Sequence, residues 1–204
     1  MEERGLRPVS EKRVMNDQRP LPWPAALLAE IRCIVSTAVL LLRRRIRLPS
    51  ERVGMRVQFA DGTSGRVYRE TVIAGREADD PCVLVVQFRL RFVRGRLHTA
   101  FRWESILNTP MFVGFPGIVS KLWLAHDQND VYRGLYEWDG PQRAEHYARS
   151  LWQVLSLGCE PSSIRYMVLP GMRRDALLAP PEMIEANAHA SSAATAWWRP
   201  VSVA

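Results

Sequence analysis

The sequence predicts an α+β fold in which residues 82–170 run in the order strand, helix, strand, strand, helix, strand. Three observations predict this order. Segment 82–93 has apolar and polar faces on alternate residues, and segment 131–138 carries its large rings on alternate residues, which is the two-residue period of a strand. Segments 96–108 and 141–158 instead place apolar side chains every three or four residues, as a helix with one buried face does. Glycine, proline and polar turn residues separate the segments, so each is a distinct element.

The first strand and the first helix open this block. In residues 82–93 the even-numbered positions from Leu84 to Phe92 are apolar, and the residues that alternate with them are Gln87, Arg89 and Arg91. The helix over residues 96–108 ends before Pro110, because the residue that precedes a proline disfavours the helical backbone.

The second half of the block begins with a hairpin. Residues 117–125 and 131–138 are two strands joined by the polar turn HDQND. The second helix begins after Asp139, a residue type that caps helices, and Gly158 ends it. Residues 163–169, SIRYMVL, are the last strand. The complete order is the split βαβ arrangement of ferredoxin-like folds.

Four further segments lie outside this block. Residues 1–22 are polar and contain prolines, which predicts a disordered leader. Residues 23–48 form a largely apolar helix with a basic end. Residues 53–75 alternate around an Asp-Gly turn, which predicts an extra β-hairpin. Residues 171–204 become rich in alanine and serine, and we predict a flexible tail there.

The N-terminal helix has three candidate placements. Residues 25–42 are nearly long enough to span a bilayer, but Glu30 and Arg32 interrupt the apolar run and also argue against a signal peptide. At 100° per residue the large apolar side chains share an arc of about 160°, and the polar ones lie opposite. This amphipathic helix can pack its apolar face on the protein, which the sequence favours, insert that face into a membrane interface, or span the membrane.

The distribution of charge and cysteine restricts the partners. The net charge is +7, of which residues 1–53 carry +5 and residues 54–204 only +2. A nucleic-acid-binding domain would concentrate basic residues on its folded part, so no nucleic acid is expected. Residues 25–47 instead suit an anionic membrane surface. Three scattered cysteines indicate a reducing compartment, which predicts a cytoplasmic protein, peripheral at the inner membrane face if the helix binds lipid.

Residues 83–170 resemble the dimeric α+β barrel superfamily, which contains small monooxygenases of the antibiotic-biosynthesis type. The resemblance is carried by the Gly114-Phe115 step before the second strand, by GLYEW at the end of the hairpin, and by the spacing from Trp138 to the last strand. It implies a homodimer and an oxidoreductase that acts on a planar aromatic or polyketide-like molecule. It also implies no cofactor, because such a substrate can supply electrons to oxygen itself.

The candidate site lies on the two strands of the hairpin. Gly134 is flanked on its strand by large rings that share one face, and this leaves a gap that would suit a flat aromatic substrate. The predicted substrate-binding residues are Trp123, Tyr132, Tyr136, Arg89 and Trp103. The predicted catalytic residues, which would take a proton or stabilise an oxyanion, are His98 and Lys121. The four histidines lack metal-ligand spacing, so no metal is expected.

Two alternatives remain at this point. In the first, the rings are ordinary core or dimer interface, since large rings dominate both. In the second, the protein is a non-catalytic ligand-binding or assembly module held near a membrane. A homodimer is expected on physical grounds as well, because a four-stranded sheet with helices on one side would leave Val83 and Val85 exposed on the other.

Overall fold

The computed structural model describes residues 19–91, 93, 109–179 and 197–204. Over these residues the architecture is mixed α+β, with helices packed on one curled antiparallel sheet. The strands are β1 (Ile46–Arg47), β2 (Arg56–Phe59), β3 (Ser64–Ile73), β4 (Pro81–Arg89), β5 (Ile118–Leu124), β6 (Val131–Asp139), β7 (Arg165–Pro170) and β8 (Pro200–Val203). The helices are α1 (Trp23–Leu42), α2 (Pro110–Val113), α3 (Pro141–Gly158) and α4 (Arg174–Leu177), with a 3-10 turn at Pro161–Ser163.

The sheet has eight strands and is larger than the four-stranded sheet that the sequence predicted. The strand order of the whole sheet also differs from the predicted ferredoxin-like order. The order is β7-β4-β6-β5-β3-β2-β8, with β1 paired to β3. The hairpin predicted over 53–75 is not an appendage, because β3 pairs with β5 and continues the sheet. This pairing satisfies the backbone groups that β5 would otherwise present at an open edge. The helix predicted over 96–108 lies outside the described residues.

The two faces of the sheet carry separate sets of buried side chains. We call the face that packs on α1, α2 and α3 the helix side, and the other face the opposite side. Apolar side chains of the helix side include Leu84, Val86, Trp123, Tyr136 and Trp138. Those of the opposite side include Val83, Val85, Leu122, Leu124 and Leu135. The two-residue period of the strands therefore assigned these faces as predicted.

The opposite side is covered by the chain's own C-terminal part. Leu177 of α4 and Trp197 pack against it, and β8 joins the sheet beside β2. The prediction of a flexible tail over 171–204 needs correction for these residues. The alanine- and serine-rich stretch lies outside the described residues, whereas Leu177 before it and Trp197 after it are buried in the core.

This cover removes the physical reason given for a dimer through the sheet. Val83 and Val85 are both 0% exposed within a single chain, although the sequence analysis expected them to lie open. A second copy is therefore not needed to bury them. Homodimerisation stays a prediction that rests on the resemblance alone.

Helix α1 packs on the protein in the reverse of the favoured orientation. Its buried residues are small or polar, namely Ala26, Glu30, Cys33 and Thr37. Its large apolar side chains face away from the protein. The reason is steric, because α1 crosses so close to Gly114 that a Cβ there would overlap the Cys33 carbonyl oxygen. Only a face of small side chains allows that approach.

Candidate functional site

A cavity of about 330 Å³ lies on the helix side, between the sheet, α2 and α3. This volume falls at the lower end of the range of about 300–1,000 Å³ that ligand pockets occupy. Its wall is largely apolar and aromatic. Residues that line it include Tyr68, Phe88, Phe112, Lys121, Trp123, Tyr132, Gly134, Tyr136, Leu151 and Leu155.

Lys121 brings an amino group into this ring-lined cavity. It lies in the middle of β5, with Tyr136 of β6 opposite it on one side and Thr71 of β3 on the other. Its Nζ lies 3.0 Å from the centre of the Trp123 ring, 4.5 Å from that of Phe112 and 4.6 Å from that of Tyr136. The residue is 5% exposed. Among the described residues, no carboxylate lies within ion-pair distance of this amine.

The surroundings of Lys121 favour the neutral amine. Burial, and to a smaller extent the positive charge of Arg69, lower its pKa well below the usual value. Contact with a tryptophan face can stabilise a desolvated ammonium by about 2 kcal/mol. Removing an ammonium from water costs several kcal/mol, so desolvation exceeds the cation–π attraction. Lys121 is therefore suited to accept a proton at neutral pH.

Trp123 lies against two basic side chains, Arg69 and Lys121. Its indole Nε1 donates a hydrogen bond to Thr71 Oγ1 at 3.0 Å. The guanidinium of Arg69, the residue opposite Trp123 on β3, lies 3.9 Å from the ring centre. The Lys121 amine lies over the same ring, so Trp123 contacts both basic side chains. Together with Phe112 and Tyr136, the indole forms part of the aromatic wall around the Lys121 amine.

Tyr136 and Tyr147 form a buried hydroxyl pair beside the amine. The Tyr147 hydroxyl donates to the Tyr136 oxygen at 3.0 Å. Burial raises the pKa of both phenols, so they stay protonated at neutral pH. Because Tyr136 accepts this bond, its own O–H can donate to a ligand oxygen in the cavity.

The gap predicted at Gly134 is filled by a neighbouring ring. A Cβ at this position would lie 2.7 Å from the Tyr136 ring, which folds over the Gly134 backbone. The glycine thus positions Tyr136, and the cavity is formed between the sheet and the helices. The sequence predicts a gap on the sheet surface because it does not show which way the Tyr136 side chain turns.

The structure brings together four of the seven predicted site residues and separates one. Lys121, Trp123, Tyr132 and Tyr136 line the cavity, with Tyr132 at its far end, stacked on Phe88 at 5.8 Å. Arg89 lies on the opposite side of the sheet and pairs with Glu160 at 3.3 Å. Its odd-numbered position on β4 turns it away from the cavity.

The remaining two predicted residues, His98 and Trp103, lie outside the described residues. Sequence reasoning also missed Phe112 and Tyr147. Tyr147 had a usable signal, because it lies in the buried stripe of the second helix at the level of the hairpin rings. Phe112 had none, since it follows a segment whose path the sequence pattern does not fix.

A second, more open cavity of about 560 Å³ lies on the opposite side. Its polar wall is organised by Arg133, which bonds Asp127 at 2.8 Å and Asp61 at 2.9 Å. Asp127 also accepts bonds from the backbone N–H groups of Asn129 and Val131. This network ties the β5–β6 turn to the β2–β3 turn, and each of its three charged groups is paired within it. We interpret it as structural.

Comparisons with known proteins do not assign the chain to a family. No family model matches the sequence. No curated protein matches it either.

Two solved structures are similar in part. An anthrone oxidase-like protein shares 10% identity, with 54% of this chain and 55% of that chain covered and a TM-score of 0.37. The match thus spans about half of that protein. A major regulator of staphylococcal pathogenesis shares 10% identity over 67% of this chain and 92% of its own, with a TM-score of 0.39. Both scores are too low to support an argument, so the proposal below rests on the cavity itself.

Proposed function

We propose that the protein binds a planar aromatic small molecule in the helix-side cavity and uses Lys121 as a base. One observation carries this proposal: a buried amine without a carboxylate partner among the described residues is enclosed by aromatic rings in a cavity. A lysine that served only stability would be expected at the surface or in an ion pair. Buried groups with shifted pKa values in a cavity are typical of functional sites.

The proposed reaction is a monooxygenase-like oxidation that needs no added cofactor. Lys121 takes a proton from an acidic CH₂ group between aromatic rings, and the Tyr136 hydroxyl donates to the substrate oxygen on which negative charge collects. The carbanion then transfers electrons to O₂. Overall, CH₂ and O₂ give C=O and H₂O, so four electrons pass from the carbon to oxygen. The second C–H proton leaves in the water.

The alternative is a non-catalytic ligand-binding or assembly module. A specific observation favours it: within the described residues, Lys121 is the one group in the cavity that is suited to transfer a proton near neutral pH. The phenols have raised pKa values. Binding of the same ligand class without turnover is the expected result for such a module.

The finer fold assignment is also a proposal. We propose that residues 82–170 form a βαββαβ unit of the dimeric α+β barrel type, within the larger sheet and in a cytoplasmic protein. The run β7-β4-β6-β5 supports this assignment. In it the last strand of the block pairs with the first, and the first pairs with the second strand of the hairpin. The dimeric form remains to be tested by sedimentation of the full chain.

The experiment uses tricyclic hydroxyaromatic ketones with a benzylic CH₂ as probes. Ligand fluorescence measures binding, and an oxygen electrode measures O₂ uptake. Lys121→Met removes the amine while keeping side-chain length. The matched control is Leu122→Met, which lies on the same strand but points to the opposite side. We expect wild type and Leu122→Met to bind the probe and to consume one O₂ for each CH₂ group that is converted to C=O. We expect Lys121→Met to bind the probe without consuming O₂.

The other outcomes separate the two candidates. Tight binding without O₂ uptake in any variant would favour the binding module. Equal O₂ uptake in Lys121→Met and wild type would contradict the role of Lys121. Failure of every probe to bind would overturn the assignment of the cavity.

A further inference from the structure

Among the described residues, most of the exposed large apolar side chains lie on the outward face of α1, which the proposed function does not use. Within α1, the exposed large apolar residues are Trp23, Leu27, Leu28, Ile31, Ile34, Val35, Val39, Leu41 and Leu42. We call them the outer face. Leu27 and Val35, near its centre, are each 61% exposed. A contiguous apolar strip of this kind marks an interaction site.

The inner face of α1 is fixed to the domain by specific contacts. Thr37 Oγ1 donates to the Pro110 carbonyl at 2.9 Å, and Cys33 contacts the same oxygen at 3.3 Å. Just before the helix, the Leu21 N–H donates to the Arg149 carbonyl at 3.1 Å. The contacts that fix the buried side of α1 to the domain therefore keep the outer face pointing away from it.

This arrangement excludes two of the three placements that the sequence left open. The outer face cannot pack on its own domain, because the inner face already does. α1 is long and apolar enough to span a bilayer by length and composition. A spanning helix would carry whatever is docked along its length into the bilayer, whereas α1 is docked along one side on α2 and α3 of the folded domain.

The charge beside the outer face indicates which surface it meets. Arg43, Arg44, Arg45 and Arg47 follow the helix directly, and all four are exposed. Arg32 is exposed at the rim of the outer face. Arginines at the edge of an apolar strip are the pattern of a helix that lies in the plane of an anionic membrane.

A second copy of the chain is a poorer occupant for the outer face. A helix of 20 residues is about 30 Å long and presents a strip about 10 Å wide. Two copies paired along this strip alone would form an interface only one helix wide, whereas stable interfaces bury about 800 Å² of accessible surface per partner with a polar rim around an apolar centre. A bilayer has no such minimum area, because each inserted apolar side chain contributes on its own.

We propose that α1 is an in-plane membrane anchor, with the outer face inserted into the interface of an anionic bilayer and the domain held on the water side. The arginines after the helix contact the lipid headgroups. The proposal does not depend on the chemistry of Lys121. It also places α2, which separates α1 from the cavity, beside the membrane surface.

The test measures co-sedimentation of the full chain with phosphatidylcholine vesicles that contain or lack phosphatidylglycerol. Leu27→Ser/Val35→Ser removes one leucine and one valine from the outer face. Val53→Ser/Leu157→Ser is the matched control, because it removes one exposed leucine and one exposed valine elsewhere, 68% and 46% exposed respectively. All four residues are exposed, so neither variant should impair folding.

We expect binding to the anionic vesicles, release by high salt and carbonate, and about a tenfold or greater loss of partitioning in the outer-face variant alone. Equal partitioning of both double variants would overturn the proposal. So would resistance to salt and carbonate, which would indicate a spanning helix. Absence of vesicle binding, with a concentration-dependent dimer that only the outer-face variant disrupts, would assign the face to a second copy.

Discussion

The two sides of the sheet treat buried charge in opposite ways. On the opposite side, buried cations meet carboxylates: Arg133 pairs with Asp127 and Asp61, and Arg174 pairs with Glu70 at 2.9 Å. On the helix side, Lys121 lies against aromatic rings, and Glu30 has no hydrogen-bond partner on either carboxylate oxygen among the described residues.

The difference separates structural charge from functional charge. A paired buried ion needs its partner, and removal of one member leaves an uncompensated charge. A buried group without an ionic partner instead changes its protonation state. Mutation should therefore be costly on the opposite side, whereas on the helix side it should alter pH dependence and activity.

The largest effect is expected on the opposite side. Asp127→Ala removes one of the two carboxylates that neutralise Arg133, together with two backbone hydrogen bonds. We expect the free energy of unfolding in urea to fall by about 3–5 kcal/mol. The control is Glu160→Ala, whose pair with Arg89 is about 40% exposed on both sides and should contribute at most about 1 kcal/mol. Equal losses of unfolding free energy in Asp127→Ala and Glu160→Ala would contradict the expected difference between buried and exposed ion pairs.

The next effect concerns Glu30 on the helix side. Burial raises the pKa of Glu30 to about 7, whereas the pKa of a glutamate in the unfolded chain is about 4.3. Between these two pH values the folded protein therefore holds a proton that the unfolded chain releases, and the free energy of unfolding falls by about 3–4 kcal/mol as the pH rises from one to the other. Glu30→Gln should lack this loss. Urea unfolding at several pH values measures it, with Glu51→Gln as the exposed control; a wild-type profile in Glu30→Gln would contradict the assignment.

A smaller effect of opposite sign is expected at Lys121. Lys121→Met removes a buried amine that lacks an ionic partner, and we expect a gain of about 1–2 kcal/mol. Because the folded pKa is lowered, the unfolded chain binds the proton more tightly, so wild-type stability should rise with pH toward about 10.4. The variant should lose this rise. Thermal melts across alkaline pH test both points, and a destabilised variant would show that the amine supports the fold.

The smallest effect is expected for the hydroxyl pair. Tyr136→Phe leaves the Tyr147 hydroxyl without its acceptor and should cost about 1 kcal/mol. Probe binding should weaken in the same variant, because the donor to the ligand oxygen is lost. The double variant with Tyr147→Phe serves as the control and should be no less stable than Tyr136→Phe alone. Unchanged probe affinity in Tyr136→Phe would mean that the pair is ordinary core.

Much of the helix-side site followed from the two-residue period of the strands. Alternation along 131–138 put Tyr132 and Tyr136 on one face, and the phase of Lys121 and Trp123 was correct as well. The same period placed Arg89 on the other face, although it was kept as a candidate. Phe112 could not be found in this way, because it reaches the amine from a four-residue helix that no periodic pattern identifies.

The sequence by itself determined the strands β2 to β7, their faces and the amphipathic pattern of α1, because these depend on the spacing of apolar residues along a regular backbone. Only the tertiary structure decided which face of α1 meets the protein and what covers the opposite side. A helical pattern specifies which residues lie together, but not what they touch. The close approach of α1 to Gly114 required a face of small side chains, and that requirement turned the large apolar residues outward.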